Sequence, residues 1–145
     1  MDAVALYKLL DRFDINDHSS KEITFQDIIG FKNSIIYIGK GCKDRKMCHL
    51  VDTKNVLEGN MQLPKINAKL TKISNIWKNK NGIVMLQVFS DSDHYISLCR
   101  ENAMIKAPGS KLTNLINGSV YGLMKSKWTL DEVKNFGEML LYFCF

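Results

Sequence analysis

Short apolar runs alternate with longer amphipathic segments along the chain, which predicts a mixture of strands and helices. Three of the short runs have strand length and are rich in aliphatic, β-branched or aromatic residues. They cover residues 4–11, 34–38 and 83–89. The second run ends at Gly39-Lys40-Gly41, and a strand entering a Gly-x-Gly sequence predicts a tight turn where the backbone approaches a ligand.

Amphipathic spacing predicts four longer helices. The clearest has apolar residues at intervals of three and four from Leu63 to Trp77, with Pro64 in its first turn and Gly82 after its end. A capping-box pattern that begins at Thr129 opens the last helix. Two further helices are predicted at residues 43–57 and from residue 92 or 93 to 107, and the last helix covers about 129–142.

Strands and helices are mixed without a regular strand–helix–strand alternation. We therefore expect a small α+β domain with a central three-stranded sheet flanked by helices. The 145 residues correspond to a single domain over 1–145, and a composition of 46% hydrophobic and 24% charged residues is typical of globular proteins. An acidic insertion at about residues 12–32, with one short helix near 25–29, separates the first two strands.

The chain shows no signal for a membrane or for secretion. No apolar run approaches the roughly 20 residues that span a bilayer. The N-terminus has Asp2 where a secretory signal is basic, and the four cysteines form no CxxC pair. We expect no membrane partner and an intracellular location, in the nucleus or cytoplasm. The apolar segment Tyr142–Phe145 fits a buried position, and it also fits a homodimer interface or a plain interaction domain.

Positive charge is concentrated in two segments. Twenty basic and 15 acidic residues give a net charge of +5, which favours negatively charged partners. Between Asn60 and Ser90 there are five lysines and no acid. Helical spacing places Lys65, Lys69 and Lys72 on one stripe, which is either a solvated helix face or a surface that follows a phosphate backbone. The second cluster consists of Lys40, Lys43, Arg45 and Lys46.

Several polar residues lie at positions where they could carry chemistry. Glu101 lies between apolar positions of a predicted helix, where a carboxylate costs free energy unless it is paired or bound to a metal. Arg45 and His49 are four residues apart and share a helix face. Tyr7 and Tyr37 lie in predicted strands. Taken singly, each has an ordinary structural explanation as an ion pair, a cap or a core aromatic residue.

Taken in order, these residues resemble the GIY-YIG endonuclease domain, and most closely the nuclease domain of the ankyrin-repeat and LEM-domain endonuclease branch. The resemblance covers about residues 6–128. The first motif has Ala5 where the family has glycine. The matching motifs are Ala5-Leu6-Tyr7, Tyr37-Ile38-Gly39-Lys40-Gly41, Arg45-x-x-x-His49, Arg100-Glu101-Asn102-Ala103-Met104 and Leu112-Thr113-Asn114.

The resemblance implies hydrolysis of DNA phosphodiester bonds with one divalent metal, with branched or flapped DNA as the expected substrate. Glu101 would bind Mg²⁺ or Mn²⁺, and Arg45 would stabilise the growing charge of the phosphate. Tyr7 would position or activate the attacking water. The alternative is a catalytically inactive nucleic-acid-binding module of the same fold.

The remaining expected site residues have supporting roles in this interpretation. His49 and Tyr37 would hold the phosphate or relay a proton. Asn114 would fix the geometry around the helix that carries Glu101. Lysines of the two basic segments would bind the DNA backbone. These lysines are Lys40, Lys43, Lys46, Lys65, Lys69 and Lys72.

Overall fold

A computed structural model describes residues 2–10, 24–41, 45–61, 67–107, 112–114 and 127–145, with the backbone alone at 2–10, 45 and 46. This part of the chain contains both strands and helices, which confirms the expected mixed class. The strands are β1 (Asp2–Leu10), β2 (Ile35–Gly41) and β3 (Gly82–Ser92). The helices are α1 (Phe25–Ser34), α2 (Arg45–Leu57), α3 (Ala68–Lys78), α4 (His94–Lys106) and α5 (Leu130–Cys144).

The three strands form one open antiparallel sheet in the order β2-β1-β3. The central strand is therefore the first in the chain, and β2 lies at an edge. The register pairs Ala5-Leu6-Tyr7 with Gly39-Ile38-Tyr37, residue by residue and in opposite directions. Between Tyr7 and Lys8 the register shifts, so Ile36 is an extra residue on β2 and forms a β-bulge.

Two apolar clusters lie on opposite faces of this sheet. Along β3, Leu86 and Val88 pack against the larger cluster, whereas Ile83 and Met85 pack against the smaller one. Successive residues of a strand point to opposite faces and residues two apart share a face, which assigns one cluster to each face. The larger cluster consists of Phe31, Ile35, Ile38, Ala103, Met104, Ile105, Val133, Leu140 and Leu141. The smaller cluster consists of Ile36, Ile73 and Ile76.

The start of α3 differs from the prediction. Asn67 caps the helix, because its Oδ1 accepts a hydrogen bond from the Leu70 N–H at 3.1 Å while its own backbone is extended. The helix therefore begins at Ala68, and the prediction that Pro64 lies in its first turn was wrong. Residues 62–66 lie outside the described part of the chain. At the other end, Gly82 opens β3 and does not terminate the helix.

The predicted tight turn at Gly39-Lys40-Gly41 was also wrong. β2 continues through Gly41, which pairs with Ala3 of β1. A Cβ atom on Gly39 would lie 2.6 Å from Cε1 of the Tyr37 ring and would contact its hydroxyl even more closely. The glycine is therefore needed because the Tyr37 ring lies along the strand, and not because the chain turns there.

The remaining elements follow the predictions with shifted ends. Thr24 caps α1 in a capping box, and this helix continues to Ser34, further than the short helix expected near residues 25–29. Asp93 caps α4, and the capping box at Thr129 opens α5 as predicted. Most of the expected acidic insertion, residues 11–23, lies outside the described residues.

The surface at the C-terminal end of the chain is partly apolar. Tyr142, Phe143 and Phe145 are 60%, 70% and 42% exposed, and Phe145 also contacts Phe31 with ring centroids 5.3 Å apart. Cys144 packs against the larger cluster. The expected apolar C-terminus is thus divided between packed and exposed residues. No helix in the described ranges is both long and apolar enough to cross a bilayer.

Candidate active site

Side chains from a distant segment bind the outer edge of β2. The backbone N–H and the hydroxyl of Thr113 both donate to the Ile36 carbonyl, each at 2.8 Å. Asn114 binds both backbone groups of Ile38, because its Oδ1 accepts from the N–H at 3.1 Å and its Nδ2 donates to the carbonyl at 2.6 Å. Edge strands carry unpaired backbone groups of this kind, and here two side chains satisfy them. The structure thus places Asn114 against β2.

Glu101 binds the same edge one step further along the strand. Its Oε1 accepts a hydrogen bond from the Lys40 backbone N–H at 2.7 Å. Alternate residues of a strand direct their backbone groups to the same side, so Glu101 continues the row formed by Thr113 and Asn114. The carboxylate is half-buried, and burial raises the pKa of Glu101, while the Lys40 N–H and the Lys40 charge act in the opposite direction.

A second group of side chains lies around Tyr37. Its ring meets the His49 ring edge to face, with centroids 5.3 Å apart. The Lys69 Nζ lies 3.6 Å from the centroid of the Tyr37 ring and 2.8 Å from His49 Nε2. These residues come from β2, α2 and α3, and they meet because α2 and α3 pack over the face of the sheet that holds the smaller cluster. A cation over an aromatic face is favourable, and more so when water is excluded.

Burial controls the charges in this group. Burial lowers the pKa of Lys69 to about 8, and the nearby Asp52 carboxylate acts in the opposite direction. Burial and the Lys69 charge also lower the pKa of His49, again against the effect of Asp52. At neutral pH Lys69 is therefore largely charged and His49 is largely neutral, which makes the ammonium the donor in the hydrogen bond between them.

The position of Lys69 corrects the expected basic stripe. Lys69 is only 9% exposed, so it does not present its charge to a ligand along the outer face of α3. Lys65 lies outside the described residues and precedes the helix, whereas Lys72 is exposed on it. The missed signal was the spacing to Ile73, since a residue four positions before a buried isoleucine shares its helix face.

Other expected site residues are located by their backbone. Tyr7 is paired directly opposite Tyr37 in the sheet, and Arg45 is the first residue of α2, one turn before His49. Lys46 follows on α2, and Lys43 lies outside the described residues. The sequence analysis missed His94, whose Nδ1 lies 2.9 Å from the Lys40 Nζ at the start of α4.

The sequence of the chain is similar to that of a known family of domains. The model of the LEM-3-like GIY-YIG domain matches residues 5–145. The chain belongs to this family. The Caenorhabditis elegans "Ankyrin repeat and LEM domain-containing protein 1 homolog" is 32% identical over 114 residues, which is 77% of this chain and 16% of that protein. No solved structure matches the chain. The expected resemblance is confirmed, and membership of this GIY-YIG family supports a nuclease domain.

The strand register pairs the first motif of this GIY-YIG domain with its second motif. Ala5-Leu6-Tyr7 and Tyr37-Ile38-Gly39 face each other in the sheet with their tyrosines paired. Ala5 is therefore at the position opposite Gly39, where it adds one methyl group relative to the family's glycine. The two motifs therefore lie side by side in the sheet, although the first lacks the family's glycine.

Glu101 has the properties that a single-carboxylate metal site requires. Among the described residues, no group of three or more His, Cys, Asp or Glu side chains could hold a metal ion. The Oε1 atom of Glu101 is held by the backbone, and Oε2 accepts no hydrogen bond from a described residue. Mg²⁺ keeps several waters and commonly takes one or two carboxylates, so this donor set fits Mg²⁺ or Mn²⁺.

Proposed function

We propose that this chain is a metal-dependent endonuclease that hydrolyses DNA phosphodiester bonds and prefers branched or flapped DNA. The observation that carries the proposal is the arrangement of polar groups along β2. Tyr37 contacts His49 and Lys69, and three residues later Lys40 binds Glu101. A carboxylate that can hold a metal and a group of donors are thus attached to one short strand. Membership of the GIY-YIG family supports the same chemistry.

In this proposal each residue of the chain has a defined role. Glu101 holds Mg²⁺ or Mn²⁺, and the chemistry supplied by such a metal is polarisation of the phosphate as a Lewis acid. Arg45 offers a planar fork of donors to the phosphate oxygens, whose charge grows in the transition state. Tyr7 positions the attacking water. Tyr37 and His49 bind the phosphate or relay a proton, and Asn114 keeps the edge of β2 in place.

The first experiment is a cleavage assay with purified protein on labelled four-way junction, flap, linear duplex and single-stranded DNA. Each substrate is incubated with Mg²⁺, Mn²⁺ or EDTA. We expect metal-dependent cuts by the wild type, fastest on junction or flap, and none by Glu101→Gln. The matched control is Glu58→Gln, the same change at an exposed carboxylate after α2, which retains activity.

Two results would contradict the proposal. Cleavage by Glu101→Gln at the wild-type rate would exclude Glu101 as the metal ligand. If the wild type and all variants bind DNA but none of them cleaves it, the inactive binding module would instead be favoured. Arg45→Lys keeps the charge but loses the fork, so we expect it to reduce kcat by about 100-fold, the lower end for loss of one transition-state donor.

Metal binding has a test that does not depend on cleavage. A metal that binds only the folded state raises the melting temperature as its concentration increases. We expect Mg²⁺ or Mn²⁺ to stabilise the wild type and Glu58→Gln but not Glu101→Gln, in the absence of DNA. Equal stabilisation of all three proteins would show that the metal does not bind at Glu101.

The basic surface is tested through the salt dependence of DNA binding. Each phosphate contact made by a lysine contributes about 0.9 to the slope of log affinity against log salt concentration. We expect Lys40→Ala, Lys46→Ala and Lys72→Ala each to reduce this slope by about one. Binding measured with Ca²⁺ in place of Mg²⁺ keeps the DNA intact in this titration. An unchanged slope would show that the substituted lysine does not contact the DNA backbone.

A further inference from the structure

Lys69 is the one buried charged side chain among the described residues, and the roles set out above do not use it. It lies on α3 and reaches residues of two other elements. Its Nζ is 2.8 Å from His49 Nε2 on α2 and 3.6 Å from the centre of the Tyr37 ring on β2. Burying a lysine costs free energy unless it is paired. A buried ammonium that contacts two candidate site residues therefore points to a role in the site.

The contact with His49 decides where the imidazole proton lies. An ammonium group has three donors and no acceptor, so His49 Nε2 has to accept and cannot carry a proton. The neutral imidazole then carries its proton on Nδ1. In this arrangement Nε2 is occupied and is not available to accept a proton from water or from a neighbouring hydroxyl.

We infer that Lys69 is a positioning residue of the proposed nuclease site, which fixes His49 in the tautomer protonated on Nδ1 and holds the Tyr37 ring along β2. The inference rests on the proposed function and decides between the two roles considered for His49. With Nε2 bound to Lys69, His49 acts as a hydrogen-bond donor to the phosphate and does not act as a general base through Nε2.

The surroundings of Lys69 contain groups that bear on this assignment. From α2, His49 and Asp52 interact with its charge, and from β2 the Tyr37 ring lies beneath it. Asp52 attracts the ammonium and partly offsets its burial. Lys72, on the same helix, is exposed. Of these two lysines of α3, Lys69 is therefore the buried one.

The test uses nuclear magnetic resonance of the imidazole nitrogens without DNA or metal. In the wild type we expect the chemical shifts of His49 to report protonation on Nδ1 at neutral pH. Lys69→Met has a similar volume and no donor, so it should shift the imidazole towards the Nε2–H tautomer. It should also raise the pKa of His49, because the charge of Lys69 helps to lower that pKa. Lys69→Arg keeps donors and should keep the Nδ1–H form.

The matched control is Lys78→Met, which removes one positive charge from the exposed last residue of the same helix. We expect it to leave the tautomer and pKa of His49 unchanged. An unchanged tautomer and pKa in Lys69→Met would overturn the inference, whatever the activity. Because this readout needs no cleavage, it is independent of whether the protein cuts DNA.

Kinetics then connect the geometry to catalysis. Misplacement of site groups by about 1 Å can reduce a rate by about 100-fold, so we expect a loss of this size in the kcat of Lys69→Met with little change in KM. Partial recovery in Lys69→Arg would support positioning. A changed tautomer with wild-type kcat would overturn the catalytic part of the inference.

Discussion

The two faces of the sheet differ in the side chains that pack on them. Among the described residues, the larger cluster contains nine buried apolar residues from α1, β2, α4 and α5. The smaller cluster contains three, and around it lie Tyr37, His49 and the buried Lys69. The large face therefore supplies most of the hydrophobic stabilisation, which increases with the apolar area removed from water. The small face holds the polar group around Tyr37, whereas Glu101 and Asn114 bind the edge of β2 between the faces.

This difference shows how a small domain can contain a buried charge. A buried cation destabilises the folded state unless other interactions compensate. In the described part of the chain, three buried apolar residues form the cluster beside Lys69 and nine form the cluster on the opposite face, which provides stability independently. Changes on the large face should therefore act mainly on folding, and changes on the small face mainly on activity.

The largest expected effect on folding comes from Gly137→Ala in α5. A Cβ atom at this position would lie 2.5 Å from the carbonyl carbon of Ala103 and would contact its oxygen even more closely. These are backbone atoms of α4, so the two helices would have to separate. We expect a loss of about 3 kcal/mol in the free energy of unfolding, at the upper end for overpacking. Urea unfolding followed by circular dichroism measures it.

The control for this prediction is the same substitution at Gly30 in α1. A Cβ atom there meets no atom within 4 Å, so Gly30→Ala should be neutral or stabilising by up to about 1 kcal/mol through helix propensity. Equal stability of the Gly137→Ala and Gly30→Ala variants would show that α4 and α5 do not need their close contact.

The next effect is expected on the small face, from Gly39→Ala. The added methyl group would displace the Tyr37 ring, whose Cε1 lies 2.6 Å from the Cβ position. A side chain can move where a backbone cannot, so the protein should remain folded. We expect kcat to fall by about 100-fold, as for other misplaced site groups. The measurement is kcat beside the melting temperature, and wild-type turnover would show that the position of Tyr37 is not required.

The sequence predicts those features of the molecule that depend on neighbouring residues. Strand β1, the cap of α4 at Asp93 and the capping box of α5 at Thr129 follow from local propensity and hydrogen bonding. The start of α3 was misplaced because the Asn67 cap outweighs the apolar spacing that begins at Leu63. Local patterns therefore give the existence of an element more reliably than its ends.

The candidate site was predicted as a set of residues but not as a geometry. Order along the chain selected Tyr37, His49 and Glu101, yet the contact between Glu101 and Lys40 joins residues 61 positions apart. Sequence spacing contains no information about such a contact. The same reason explains why Lys69 was wrongly assigned to the DNA-binding surface. The packing of α3 against β2 decides whether the lysine stripe is exposed or buried, and the sequence does not show that packing.

A smaller effect is expected at the edge of β2, between the two faces. Asn114→Ala removes both hydrogen bonds to Ile38 and leaves its N–H and carbonyl without these partners. Thr113→Val removes one bond to Ile36, whose carbonyl still accepts from the Thr113 N–H. We expect a loss of about 2 kcal/mol for Asn114→Ala and about 0.5 kcal/mol for Thr113→Val, since unpaired groups cost more than lost bonds. Equal losses in urea unfolding would contradict this account.

The last prediction concerns the pH dependence of stability and comes from Lys69. Its pKa is lowered to about 8 from 10.5, so between these values the unfolded state binds more protons than the folded state. The wild type should therefore gain stability as the pH rises from about 8 to about 10.5. Lys69→Met lacks this titration. We expect it to be more stable than the wild type at pH 7, and the difference should shrink across this range. Subtracting the two unfolding curves cancels the other titrating groups, and a constant difference would show that the charge of Lys69 is fully compensated in the fold.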